Sequence, residues 1–356
     1  MNITLKNNSS SREISGFHSL RVISVRHITA DSVMISFEIP EEVKSFYSFK
    51  PGQHIELMLY ENNEELRRTY SICSGVNEPL SIGVKALKSG KVSSFLNSAI
   101  SVGDEMLVSQ PRGSFVLNPA AKNIAFFGAG SGITPLLSML KACANMSIYS
   151  TLIYGNKQES SIMFRDEIDG MLADKVYHFL SGEKKEGFAY GRITNETISE
   201  LILKDCSILD SDDFYICGPE TMIADVREIL QKFGVSQDKI HFEYFSAPVE
   251  KENSDQTNIP TFTGNCKVQV KLEGDKFQFD VVSDGPVLLE AARKAGLDAP
   301  FSCKTGICGS CRAKIKNGTV SMKANYALTA EEVEQGYILT CQAQPTCSDL
   351  SISFDD

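Results

Sequence analysis

Residues 303–311 read Cys303-Lys304-Thr305-Gly306-Ile307-Cys308-Gly309-Ser310-Cys311, and a fourth cysteine, Cys341, follows. The spacing is C-x4-C-x2-C-x29-C. It matches the plant-type [2Fe–2S] ligand set, in which four thiolates hold two irons and two sulfides. Gly306 and Gly309 let the backbone turn sharply and approach closely. Its N–H groups can then point at the sulfurs, which helps set a reduction potential. Structural zinc usually shows two short Cys pairs, whereas only Cys308 and Cys311 form a C-x2-C here. A site of this kind moves electrons singly, so the rest of the chain must be searched for their source.

With 356 residues, the chain is too long for one ordinary core and predicts two or three domains. Its 42% apolar and 22% charged residues are those of a soluble globular protein. A net charge of -10 argues against a nucleic-acid partner or an anionic membrane surface, and would suit a basic redox partner. Beyond the four cluster candidates, Cys73, Cys143, Cys206, Cys217, Cys266 and Cys347 are scattered. That pattern predicts a reducing, cytoplasmic location. Met1–Gly16 is polar, with no apolar signal core, and no run of 18 apolar residues predicts a membrane span. With five histidines and no H-E-x-x-H, a histidine-built metal site has no support.

Upstream, the hydrophobic rhythm divides the chain. After a flexible N-terminus, 1–16, short alternating segments such as Ser32–Ile39, His54–Tyr60, Arg67–Cys73, Leu80–Leu87 and Glu105–Ser109 predict an antiparallel β-barrel over 17–119. Over 120–245, strands at Ile124–Gly128, Ile148–Tyr154, Lys175–Leu180 and Phe214–Cys217 alternate with helices at Pro135–Ala144, near Ile162–Leu172 and at Thr221–Phe233. Alternation of that kind predicts an α/β domain with a parallel sheet. Residues 246–265 are polar and aperiodic and read as a linker. Residues 266–356 open with a hairpin across Gly274-Asp275 and a helix starting at Pro286, and then carry the cysteine loop.

Four segments upstream of the linker carry chemistry. Gly128-Ala129-Gly130-Ser131-Gly132-Ile133-Thr134-Pro135 lies between a strand and a helix, where N–H groups and the helix dipole favour a pyrophosphate. It is G-x-G-x-G, so the ordinary dinucleotide fingerprint is not matched, and a plain strand-to-helix turn is the competing reading. Arg67-Arg68-Thr69-Tyr70-Ser71-Ile72 ends a strand with a cation, an aromatic and a hydroxyl. Gly90-Lys91-Val92-Ser93 opens a helix whose N-terminus suits a phosphate. Cys217-Gly218-Pro219 closes a strand at the edge where open α/β sheets bind ligands, although one such cysteine is usually a core thiol.

In this order, R-x-Y-S, the glycine turn ending Thr-Pro, Cys-Gly-Pro and the cluster spacing resemble the ferredoxin–NADP reductase superfamily fused to a plant-type ferredoxin domain. Within it, the chain looks like the reductases of ring oxygenases, the phenylacetyl-CoA epoxidase type above all. The resemblance covers almost all of 17–356 and implies an FAD barrel, an NAD(P) α/β domain and a β-grasp ferredoxin domain. It implies that Arg68 binds the FAD pyrophosphate with Gly90, Val92 and Ser93, that Tyr70 packs on the flavin, and that Ser71 hydrogen-bonds its N5. The turn Gly128, Gly130, Gly132, Thr134 and Pro135 would receive NADPH or NADH, with Cys217, Gly218 and Pro219 beside the nicotinamide. Glu243 and Phe245 match the family's acid and its flavin-covering aromatic. Ser71, Cys217 and Glu243 are thus the catalytic candidates, and Cys303, Cys308, Cys311 and Cys341 the cluster ligands. Lys157, after the second parallel strand, is a candidate for a 2′-phosphate. The implied activity is NAD(P)H-dependent electron transfer through FAD and the cluster to an oxygenase or another one-electron acceptor protein. A reductase for a steroid or fatty-acid oxygenase, or a non-catalytic iron–sulfur carrier, are the alternatives.

Overall fold

Alternation in the first hundred residues becomes strands, because each buries its inward face. β1 (Ile3–Thr4), β2 (Phe17–Thr29), β3 (Ser32–Glu38), β4 (His54–Glu61), β5 (Glu64–Ser71), β6 (Ser81–Lys85) and β7 (Glu105–Ser109) form one antiparallel sheet. The computed structural model describes residues 3–5, 16–62, 64–247 and 262–356. The expected flexible N-terminus and linker lie for the most part outside these residues. Around the sheet the order is β5-β4-β7-β2-β3-β6, with β1 alongside β4. The far ends of that order, β5 and β6, meet through one bridge, Ile72 with Ile82, and a Cys73 N–H to Ser81 carbonyl bond of 2.9 Å. This narrow seam closes the sheet into a barrel around Val22, Val33, Ile35, Ile55, Leu57, Ile82 and Val84. β4 is buried on both faces, since Met58 and Tyr60 pack outward against Phe17. Helix α1 (Lys91–Ser98) packs on β3 and β6.

The parallel sheet comprises β8 (Asn123–Ala129), β9 (Tyr149–Asn156), β10 (Lys175–Leu180), β11 (Ala189–Tyr190), β12 (Asp213–Gly218) and β13 (Ile240–Tyr244), in the order β11-β10-β9-β8-β12-β13. Helix α2 (Ile133–Met146) covers one face, while α4 (Asn195–Lys204) and α5 (Glu220–Lys232) cover the other. The predicted helix near 162–172 is instead a turn α3 (Arg165–Glu167), entered through Phe164 at φ 58, that widens into a π-helix at Ile168–Leu172. From β8 the chain winds outward to β11, then returns to lay β12 and β13 on the other side of β8. The switch point, the usual ligand crevice of such sheets, therefore lies between β8 and β12. Barrel and sheet pack tightly: a Cβ on Gly52 (φ +100) would lie 2.2 Å from the Phe115 carbonyl oxygen and 2.3 Å from the Met139 methyl of α2.

Residues 246–356 form a second compact unit, separate from 1–245. Strands β14 (Asn265–Leu272), β15 (Asp275–Val282), β16 (Arg312–Asn317), β18 (Tyr337–Leu339) and β20 (Asp349–Ser353) make a sheet ordered β15-β14-β20-β16-β18. Its central pair, β14 and β20, is parallel and its other pairs are antiparallel. Helix α6 (Leu288–Lys294) packs against β15, in a β-grasp arrangement. β17 (Val320–Met322) and β19 (Ala343–Pro345) pair as a ribbon, and α7 (Ala330–Glu334) precedes β18. The β14–β15 hairpin turns through Glu273 (φ 56) and Gly274 (φ 84), one residue earlier than expected. Two positive φ values there are those of a type I′ turn. α6 begins at Leu288 with Val287 as its cap, so Pro286 stands just outside the helix rather than in its first turn.

Candidate functional site

Register lines up the expected residues across the edge of the parallel sheet. Cys217 on β12 is opposite Gly128 on β8 and opposite Glu243 on β13. Three segments that are distant in sequence thus share one row at the switch point. Gly132 shows how tightly they fit: a Cβ there would sit 2.1 Å from the Cys217 carbonyl oxygen. Gly130 is the reverse case, with φ +54 and nothing within 4 Å of a Cβ position, so its surface is open for a ligand. Thr134 is buried, its hydroxyl donating to the Ser131 carbonyl at 3.0 Å, and Pro135 is buried in the first turn of α2. Gly218 packs against Met222 and Ala129, and Pro219 caps α5. Further along the edge, the Asn156 side-chain N–H2 at the end of β9 is buried without a partner. The glycine cradle, the open N-terminus of α2 and this unpaired donor suit a nucleotide.

The barrel brings its own residues to the same place. His54 begins β4 opposite Ser71, the last residue of β5. The Ser71 hydroxyl lies 3.5 Å from Glu243 Oε2, and His54 Nδ1 lies 3.7 Å from Glu243 Oε1. His54 is buried, and its Nε2 has no partner. Ser71, His54, Glu243 and Cys217 therefore form a polar patch where barrel and sheet meet. Arg68 and Tyr70 share the other face of β5. Arg68 is exposed and donates to the Arg67 carbonyl at 2.7 Å. Gly90 caps α1, with Val92 and Ser93 buried in its first turn. A Cβ on Gly90 would meet Ser93 Oγ at 2.5 Å, and that hydroxyl accepts from Leu87 N–H at 3.1 Å. An exposed guanidinium, an aromatic beside it and a helix N-terminus could hold a flavin dinucleotide. Phe245 follows β13 and is 45% exposed.

Burial sets the protonation of this site. It raises the Cys217 thiol well above its ordinary range, and the Glu243 carboxylate adds to the effect, so the sulfur is neutral at neutral pH. Burial likewise raises the Tyr70 phenol, opposed by the Arg68 charge. Lys157, just past β9, stands apart from the patch, one strand beyond Gly128. Arg165 of α3, another cation of this region, is engaged by Glu159 and by Asp169 at 3.2 Å, and Lys185 also pairs with Glu159. A cavity of about 1090 Å³ lies at the opposite edge of the sheet, lined by Asn118, Asp213, Tyr215 and His241, and contains none of these residues.

In the second unit, the four expected ligands come as two pairs. Cys303 accepts from the N–H groups of Thr305 (3.3 Å), Ile307 (3.4 Å) and Cys308 (3.4 Å). The Cys308 thiol and these N–H groups pull Cys303 down to about 4, and Cys308 is raised in turn. Cys311 and Cys341 act on each other in the same way, Cys341 lowered and Cys311 raised. Among the described residues, no three His, Cys, Asp or Glu side chains converge on one ion. Two thiol pairs with N–H groups aimed at sulfur fit a two-iron cluster better than one tetrahedral zinc. Gly306 (φ +81) passes close to the Ala324 carbonyl, where a Cβ would come within 3.2 Å. Lys304 also has φ +58, which the cysteine spacing did not disclose.

His54 is the site residue that the sequence reading missed. It stands in Pro51-Gly52-Gln53-His54, which reads as a turn leading into a strand. Only the barrel register puts it opposite Ser71.

Comparison with known proteins agrees with this geometry. Residues 19–117 match the oxidoreductase FAD-binding domain family, 126–228 the oxidoreductase NAD-binding domain family, and 270–346 the 2Fe-2S iron-sulfur cluster binding domain family. One component of the 1,2-phenylacetyl-CoA epoxidase of Escherichia coli K12 is 34% identical over 352 residues, covering 95% of this chain and 98% of that protein. The ferredoxin reductase component of the Rhodococcus rhodochrous 3-ketosteroid-9-alpha-monooxygenase is 29% identical, over 94% of this chain and 96% of its own. The solved structure of phthalate dioxygenase reductase shares the fold, with a TM-score of 0.60 at 24% identity, over 95% of this chain and 98% of that one.

Proposed function

Because the chain belongs to the FAD- and [2Fe-2S]-containing reductase components of oxygenases, we propose that it passes electrons from NADPH or NADH to a terminal oxygenase component of the phenylacetyl-CoA epoxidase type. The observation that carries this reading is the presence, in one chain, of a switch-point row completed by a barrel serine and of two thiol pairs, three of whose four sulfurs stand on one glycine-bent loop. When bound, FAD supplies the conversion of a hydride into single electrons, and the cluster supplies their relay. The protein's part is to position and to exclude. Arg68 and the first turn of α1, from Gly90 through Val92 and Ser93, take the flavin pyrophosphate. Tyr70 and Phe245 would hold the flavin ring, and the Ser71 hydroxyl would donate a hydrogen bond to it. The Gly128–Pro135 turn takes the nucleotide, and Cys217-Gly218-Pro219 walls the nicotinamide. Glu243 holds the Ser71 hydroxyl in place. No side chain need act as a general base.

Among the described residues, no helix is long and apolar enough to cross a membrane. We place the protein in the cytoplasm, where its ten cysteines, all unpaired here, would stay reduced.

The test is reconstitution. Purified holoprotein given NADPH without oxygen should bleach in its flavin and cluster bands. Adding the epoxidase oxygenase component and phenylacetyl-CoA, and then admitting O2, should give epoxide. Absence of bleaching overturns the reductase reading. Normal cytochrome c reduction with no epoxide assigns the electrons to another acceptor.

A further inference from the structure

The ferredoxin unit holds another thiol pair, apart from the four cluster ligands. Cys266 is the second residue of β14 and is wholly buried. Cys347 lies in the turn entering β20 and is half-buried. β14 and β20 run parallel, with Lys267 opposite Asp349, and Lys267 N–H donates to the Ser348 carbonyl at 2.8 Å. The chain at 266 and the chain at 347 therefore run side by side. Neighbouring strands are about 4.8 Å apart, and a disulfide spans about 4.4–6.8 Å between Cα atoms. Cys347 is one of the groups near enough to act on the Cys266 thiol.

The pair is asymmetric. Thr319 N–H donates to Cys347 Sγ at 3.2 Å, and that thiol faces the carbonyl oxygens of Asp349 at 3.2 Å and Thr319 at 3.4 Å. Gly318, at φ +90, brings the backbone so close that a Cβ would sit 2.8 Å from that sulfur. Burial, with the neighbouring Cys347 adding to it, pushes the Cys266 thiol up to about 11. Cys347, the more exposed of the two, is thus the sulfur that an external disulfide reaches first, and the buried Cys266 is the one that resolves.

We propose that Cys266 and Cys347 form a reversible dithiol–disulfide site that small-molecule disulfides close, fastening the first strand of the ferredoxin unit to its last. Cys347 gives up its proton, its sulfur attacks the external disulfide to form a mixed disulfide, and one thiol is expelled carrying that proton. Cys266 sulfur then attacks Cys347 sulfur and expels the second, which leaves with the proton that Cys266 gives up. Two protein thiols lose two electrons and two protons, and one external disulfide becomes two thiols. Closing so long a loop restricts the unfolded chain and so stabilises the unit that carries the cluster.

The holoprotein is incubated with oxidised glutathione, its free thiols are alkylated, and it is digested without reductant. Mass spectrometry should find the Cys266 and Cys347 peptides joined, two hydrogens lighter than their sum, and dithiothreitol should separate them. The midpoint for thermal loss of the cluster band should rise by about 5 °C or more on oxidation. Both effects should vanish in Cys347→Ser and, as a second variant, in Cys266→Ala. Glutathione carried on Cys347 alone while Cys266 remains free to alkylate overturns the proposal, as does a cross-link from either residue to a cluster cysteine.

Discussion

Gly132 leaves no room for a side chain, because a Cβ would lie 2.1 Å from the carbonyl oxygen of Cys217. Gly132→Ala should therefore cost about 1–3 kcal/mol of stability by overpacking. It should also slow flavin reduction by more than tenfold, read by urea unfolding and by stopped-flow absorbance. Cys217→Ala is milder: FAD should stay bound while flavin reduction slows. The Cys217 thiol is raised by burial, so its charge does not change near neutrality. The rate of flavin reduction should then show no inflection due to Cys217 between about pH 6 and 8. Normal reduction rates in both Cys217→Ala and Phe245→Ala would reject the proposed assignment. For the nucleotide, Arg165 is already engaged by two carboxylates, which leaves Lys157 to meet a 2′-phosphate. The expected preference for NADPH is modest, and kcat/KM for both nucleotides on wild type and Lys157→Ala would measure it. Most of these residues were legible because each stands in a short motif. His54 was not, because its role comes from a cross-strand neighbour.

Helix α4 shows where legibility stopped among elements. Its sequence, Asn195–Lys204, is amphipathic, but its start is closed by a threonine pair rather than by the more usual Ser/Thr with Glu or Gln. Thr194 N–H donates to Thr197 Oγ1 at 2.9 Å, and Thr197 N–H donates back to Thr194 Oγ1 at 3.4 Å. Thr194→Ala should cost about 1 kcal/mol. Because this cap lies outside the proposed site, flavin reduction should be unchanged, and a melt beside a stopped-flow trace would show it. The segment 162–172 failed for another reason. Its apolar spacing fits a helix, but Phe164 at φ 58 breaks the entry, and packing turns the rest into a wider π-turn. Strands fared better: Glu105–Ser109 and Lys175–Leu180 begin and end where the alternation and its turn residues put them. The long β2 went undivided from its neighbours because two register shifts interrupt its alternation.

At the scale of the whole molecule, the order of the modules predicts a serial path. Cys308→Ser should spare the reduction of a dye that accepts from flavin and abolish reduction of cytochrome c. Equal loss of both, with FAD still bound, would sink that path. The first unit also carries an alkaline weakness. Burial pushes Cys73 and Cys143 from 9.0 up to about 12. The unfolded chain loses these protons first, so stability is full below pH 9.0 and falls as pH rises from there towards about 12. Melting midpoints of the unit should drop across that window, and less steeply in Cys143→Ala.

The barrel seam has a kinetic corollary. One bridge between Ile72 and Ile82 and one bond from Cys73 to Ser81 hold β5 to β6, directly after Ser71. Every other junction around the barrel is a longer ladder, so the wall parts here at the lowest cost. On the proposed assignment, Arg68, Tyr70 and Ser71 all ride on the strand that this parting frees. Escape of the flavin and hydrogen–deuterium exchange at the Cys73 amide then become two readings of the same breathing motion. Their rates should rise together with urea, and saturating the protein with FAD should slow the exchange.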